Sequence, residues 1–114
     1  MMTITFTAIE QHIPELIRNF EVCLRSGFSL PQSFEIVAKD LSNLAGQEAQ
    51  RVFDELEAGT ELETALNNWL ERMPSRDLDL FIATIKVQRE VGGNLADKFR
   101  LLRQVMEKRK GVLL

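Results

Sequence analysis

Tyrosine is absent from this 114-residue chain, and histidine, cysteine and tryptophan occur once each. A lone cysteine, Cys23, cannot close an internal disulfide, and no second cysteine or histidine cluster stands beside it to build a metal site. Such usage fits a reducing, cytosolic setting. The single histidine, His12, sits alone before the first expected helix. No glycine-rich loop joins a strand to a helix, and no serine-centred nucleophile elbow occurs. Catalytic residues, cofactor and metal are therefore all expected to be none. The stretch from Met1 to Glu10 lacks the basic region and long apolar run of a secretory signal.

What is present is the composition of an ordinary water-soluble domain, 45% apolar and 27% charged. A chain of this length can bury one core, not two. The net charge of −3 hides an uneven distribution. Glu35, Asp40, Glu48, Asp54, Glu55, Glu57, Glu61 and Glu63 face only Lys39 and Arg51 in the middle of the chain. Near the end the balance reverses, with Lys98, Arg100, Arg103, Lys108, Arg109 and Lys110 against Glu107. This last region is the one candidate surface for anionic partners, unless it is simply a solvated helix face.

Apolar residues recur at helical spacing in six segments, so the expected fold is all-α. The first helix is expected to open at Pro14 and end at Gly27, burying Ile13, Leu16, Ile17, Phe20, Cys23 and Leu24. Ser29 and Gln32 form a capping box for the second, which buries Phe34, Val37, Ala38 and Leu41. A polar break from Ser42 to Gly46 precedes a third helix with Ala49, Val52, Phe53 and Leu56, stopped at Gly59. Thr60 and Glu63 suggest a second capping box for a fourth helix with Leu62, Ala65, Leu66, Trp69, Leu70 and Met73. Ser75 caps a fifth, with Leu78, Phe81, Ile82 and Ile85 inside. Asn94 caps a sixth, whose stripe is Leu95, Phe99, Leu102, Val105 and Met106.

Gly27, Gly59 and Gly92 recur at near-equal spacing. Each is followed three residues on by leucine (Leu30, Leu62, Leu95), then by large apolar residues at Phe34, Leu66 and Phe99 and at Val37, Trp69 and Leu102. Each unit is a helix stopped by glycine and a second helix turned back, which predicts a six-helix bundle of three antiparallel hairpins. Residues 13–110 form the expected domain. Residues 1–12 read as a separate N-terminal segment, disordered or acquired in expression. The basic cluster Lys108-Arg109-Lys110 followed by Gly111-Val112-Leu113-Leu114 reads as the positive-inside flank and first residues of a truncated transmembrane helix, over 111–114.

Cys23 and Trp69 lie on apolar stripes and read as core residues. Asp54, Glu55 and Glu57 lack the spacing of an EF-hand loop, leaving only a calcium site shared between subunits as a metal reading. The doubled glycine of Gly92-Gly93-Asn94 exceeds what one helix cap requires and marks either a tight turn or a close approach to a partner. Arg72, Arg76 and Arg89 stand near helix junctions, where arginines serve interfaces as well as ordinary surfaces.

Three stretches, in this order on a helical chain, carry a family resemblance: Leu24-Arg25-Ser26-Gly27-Phe28-Ser29-Leu30-Pro31-Gln32, Arg72-Met73-Pro74-Ser75, and Gln88-Arg89-Glu90-Val91-Gly92-Gly93-Asn94-Leu95. Over roughly Gln11 to Arg109 the chain resembles the F domain of type II secretion and type IV pilus platform proteins, most closely the Tad (Flp) pilus branch. Ser33, where the family usually has alanine, and Cys23, where it has another small apolar residue, depart mildly from the pattern.

The resemblance implies a non-enzymatic helical bundle on the cytosolic side of a bacterial inner-membrane protein. Its implied partners are a cytosolic secretion ATPase, a related platform subunit, other copies of itself, pilins reached through membrane helices, and the membrane that those helices cross. Contact with the motor is expected at Arg72, Arg76, Arg89, Glu90, Gly93 and Asn94. Arg100, Arg103, Lys108, Arg109 and Lys110 are expected at the membrane-proximal end. A stand-alone helical-repeat adaptor competes, since the glycine spacing approaches that of tetratricopeptide arrays, whose signature is missing. Nucleic-acid binding is disfavoured by a pI near 5.2.

Overall fold

A computed structural model describes residues 2–113, with side chains over 8–109. Six α-helices follow one another: α1 (Met2–Arg25), α2 (Leu30–Asp40), α3 (Leu44–Glu57), α4 (Leu62–Arg72), α5 (Arg76–Val91) and α6 (Leu95–Leu113). There is no strand among the described residues. The all-α expectation holds, and α1 with α2, α3 with α4 and α5 with α6 each pack together. The most extensive contacts nevertheless run between hairpins, from α1 to α6 and from α2 to α3. α1 touches α2, α3, α5 and α6 and is the central helix of the bundle.

The glycine repeat is visible as helix punctuation, because Leu30, Leu62 and Leu95 are the first residues of α2, α4 and α6. Gly27 and Gly59 both have φ near +95°. Each closes a Schellman cap: Gly27 N–H donates to Leu24 and Phe28 N–H to Cys23, while Gly59 N–H donates to Leu56 and Thr60 N–H to Glu55. Ser29 and Gln32 form the expected reciprocal box, and the Ser75 hydroxyl accepts from Leu78 N–H. The expected Thr60–Glu63 box is absent. α4 begins one residue later, behind Glu61, with no side-chain cap, because Thr60 N–H already closes the α3 terminus.

Pro14 does not open α1; it lies inside it. Ile9 and Ile13, both in the turn and a half preceding Pro14, are fully buried and extend the stripe of Leu16, Ile17, Phe20 and Cys23 toward the N-terminus. Burying an Ile side chain is worth roughly 1.5–3 kcal/mol, comparable with the roughly 3 kcal/mol a helical proline costs. Packing therefore begins before the boundary expected at residue 13. Gly46 is likewise inside the first turn of α3, not in a break. A Cβ there would lie 1.8 Å from the Leu41 carbonyl oxygen, so glycine is what lets the chain leaving α2 cross α3.

Five aromatic rings from five helices form the centre of the core. Phe20 of α1 meets Phe34 of α2 at 4.7 Å and Phe81 of α5 at 5.3 Å, and Phe81 stacks on Phe99 of α6 at 5.1 Å. Trp69 of α4 closes the group edge-on against Phe34 and Phe81. Such pairs add about 0.5–1.5 kcal/mol each beyond their buried area. Cys23 is buried beside Ser33. Burial pushes the Cys23 thiol up, with the Ser33 hydroxyl pulling partly back, and a protonated buried thiol is a poor nucleophile. Val105, expected in the core, is 58% exposed. Met106, expected beside it, is buried.

Among the described residues no helix is long and apolar enough to cross a membrane. The side chains of 110–114, on which the expectation of a transmembrane start rests, lie outside the described residues, as do those of 1–7.

Candidate interaction surface

The corner between α5 and α6 is built by two consecutive left-handed residues, Gly92 at φ 82° and Gly93 at φ 99°. Side chains disfavour that region by about 1–2 kcal/mol per residue, which accounts for the doubled glycine. Gly92 N–H donates to the Gln88 carbonyl at 2.8 Å, and the Gln88 side-chain amide donates to the Gly93 carbonyl at 3.1 Å. Asn94 Oδ1 accepts from Asp97 N–H at 2.9 Å and caps α6 as expected. Gly93 and Asn94 therefore shape the turn themselves, and both remain exposed.

Arg89 and Glu90 stand exposed on the last turn of α5. Arg89 lies 3.7 Å from Glu63 of α4, a pair of two half-exposed groups that contributes little to stability. The fold thus gathers Arg89, Glu90, Gly93 and Asn94 at one corner. Arg76 is not there: it begins α5, about 20 Å away along the helix axis. It is exposed and makes no ion pair among the described residues.

Arg72 belongs to a third place. Its guanidinium reaches Glu48 at 2.9 Å and Glu55 at 3.4 Å, while Asn68 donates to Glu55 at 2.9 Å. Glu48 is buried, and without Arg72 its charge would have no counterpart. This arginine fastens α4 to α3. Glu55, one of the three clustered acids of the middle segment, is engaged in the same contact. Among the described residues no group of His, Cys, Asp and Glu is placed to hold a metal.

The basic residues of α6 divide in the same way. Arg103 sits between Glu21 at 3.1 Å and Glu107 at 3.2 Å, and Arg109 grips both oxygens of Asp77 at 2.6 and 2.8 Å. Glu107 also receives Arg18 at 3.0 Å; Glu21 also receives Arg25, which reaches on to Asp97 at 3.0 Å. The result is an alternating chain, Arg18–Glu107–Arg103–Glu21–Arg25–Asp97, along the antiparallel seam of α1 and α6. The hydrogen bond from Arg103 to Glu21 holds that guanidinium above its ordinary pKa, and the bond to Asp97 does the same for Arg25. Arg100 and Lys108 are exposed with no acid partner among the described residues. The Lys110 side chain lies outside them.

Sequence reading missed the exposed apolar side chains of α5 and α6. Leu80, Val87 and Val91 on α5, and Leu101 and Val105 on α6, account for five of the seven large apolar residues that remain exposed among those described; the others are Val22 and Phe28. Their signal is in the sequence: Leu80, Thr84, Val87 and Val91 recur at i, i+4, i+7 and i+11, a second stripe on the face away from the buried one. Assigning one apolar stripe to each helix conceals it.

The family model described as "Type II secretion system (T2SS), protein F" matches residues 16–112, a span that touches all six helices. None of the curated proteins and none of the solved structures compared with the chain matches it.

Proposed function

We propose, proceeding from the fact that this chain belongs to the type II secretion system (T2SS) protein F family, that it is the cytosolic coupling domain of an inner-membrane platform in the Tad (Flp) branch of type IV pilus machines. Platform proteins of this kind are not enzymes. In this reading the bundle binds a cytosolic secretion ATPase and passes the motor's movements, through membrane helices of the same protein, to pilins being drawn from the bilayer. It works on the cytosolic side of a bacterial inner membrane, beside further copies and a related platform subunit, with neither nucleic acid nor cofactor.

The observation that carries the reading is the family match across all six helices. The fold is consistent with force transmission, since a core of interlocked aromatic rings and an ion-paired seam resist deformation. The α5–α6 corner is the proposed motor contact, because Arg89 and Glu90 are exposed on a turn whose geometry is fixed by Gly92, Gly93 and Asn94. The C-terminal part of α6, with Lys108 and Lys110, is the proposed membrane-proximal end; Arg100, grouped with them in sequence, lies about two turns nearer the α5–α6 corner, and Arg103 and Arg109 serve mainly to hold the helix in position.

A pull-down of the chain against its cognate secretion ATPase tests this. The parent is expected to bind, and the Arg89→Glu, Glu90→Lys double variant to lose at least about tenfold in affinity with an unchanged melting temperature. Undiminished binding by a folded double variant would move the contact elsewhere; absence of binding by the parent would remove the motor from the proposal.

A further inference from the structure

We propose that the groove between α5 and α6 docks one amphipathic helix of a partner protein, apolar on its buried face and acidic along its edge. The groove has a volume of 370 Å³ and is lined by Leu80, Ala83, Thr84, Val87, Lys98 and Leu101. Val91 continues the α5 wall and Val105 the α6 wall. These are not marginal exposures: Val87 is 52%, Leu101 61% and Val91 73% accessible. The opposite face of α5 carries Leu78, Phe81, Ile82 and Ile85, all buried. A helix apolar on two faces is ordinarily covered on both, and here the second cover is missing from the isolated chain. Thr84 does not make the groove polar, since its hydroxyl donates to the Leu80 carbonyl at 2.7 Å.

Shape and charge specify the occupant. From Leu80 to Val91 the wall runs three turns, about 16 Å, which suits the i, i+4, i+7 anchors of a single docked helix. Lys98 is the one charged side chain lining the groove. The adjoining depression is lined by Leu101, Gln104, Val105, Glu107 and Lys108. Glu107 is already bound by Arg18 and Arg103, whereas Lys98 and Lys108 have no acid partner among the described residues. The exposed acids of α5, Asp79 and Glu90, line neither depression. An acid-edged helix would neutralise the two lysines, while a second copy of this chain would bring the same two cations. The inference goes beyond motor coupling, because it fixes the chemistry of the bound segment whichever protein supplies it.

The test uses two synthetic helical peptides of about 18 residues, each with leucine at i, i+4, i+7 and i+11, one edged with glutamate and the other with lysine. Fluorescence anisotropy of labelled peptide titrated with the 114-residue chain is expected to show the glutamate-edged peptide binding at least about tenfold tighter, with the preference shrinking as salt is raised. Leu101→Ser and Val87→Ser should each weaken that binding severalfold with unchanged thermal melting, and Lys98→Glu should invert the preference. Equal binding of the two peptides, no binding, or binding indifferent to Leu101→Ser overturns the proposal. So does a dimer in sedimentation that Leu101→Ser dissociates, which would assign the groove to a second copy.

Discussion

The seam between α1 and α6 and the groove between α5 and α6 share one helix yet have opposite chemistry. On the seam, each charge of α6 meets a partner from α1: Asp97 meets Arg25, Arg103 meets Glu21, and Glu107 meets Arg18. On the groove side, Leu101 and Val105 face solvent and the nearby Lys98 and Lys108 are unmatched. The contrast separates two uses of surface chemistry that look alike in a list of residues. A charge answered by its own chain belongs to stability. An apolar stripe and lysines left unanswered are what a second molecule can read.

The contrast is broken most severely at Arg103. Its removal by Arg103→Ala leaves Glu21, which is only 8% exposed, with the i+4 pair to Arg25 alone, and Glu107 with Arg18 alone. We expect a loss of about 2–3 kcal/mol, read from the urea midpoint at constant slope. A loss below about 0.5 kcal/mol, the range of an ordinary surface change, would mean that the seam does not hold α6. A smaller effect is expected at the corner joining the two regions: Gly93→Ala places a side chain at positive φ against Lys98 and should cost about 1–2 kcal/mol. Smallest of all, Leu101→Ser and Val87→Ser should shift stability by no more than about 0.5 kcal/mol, because neither helps to bury the core. A thermal melt that falls with either substitution would show the groove to be part of the fold.

Much of this architecture is legible in the linear chain. The three glycines, their leucines and the apolar positions that follow are local signals, and Phe34, Leu66, Phe99, Val37 and Trp69 are all fully buried. Capping at Ser29, Ser75 and Asn94 is legible for the same reason, since a cap involves residues three positions apart. The candidate site was read less well. Arg89, Glu90, Gly93 and Asn94 fall within six consecutive residues, so their clustering follows from sequence. Arg72 and Arg76 are near Arg89 only in the list of junction arginines; one faces Glu48 across the bundle and the other stands at the far end of α5.

The chain by itself determined which segments become helices, where most of them end, and which face of each helix seeks cover, because these depend on glycine, caps and periodic apolar residues within a few positions of one another. Only the tertiary structure decided which arginines are engaged, that a proline is tolerated inside α1, that Gly46 must lack a side chain to pass Leu41, and that α5 keeps one of its two apolar stripes in water. Each of those outcomes depends on groups brought together from distant parts of the chain, and a local pattern carries no record of what will lie opposite it.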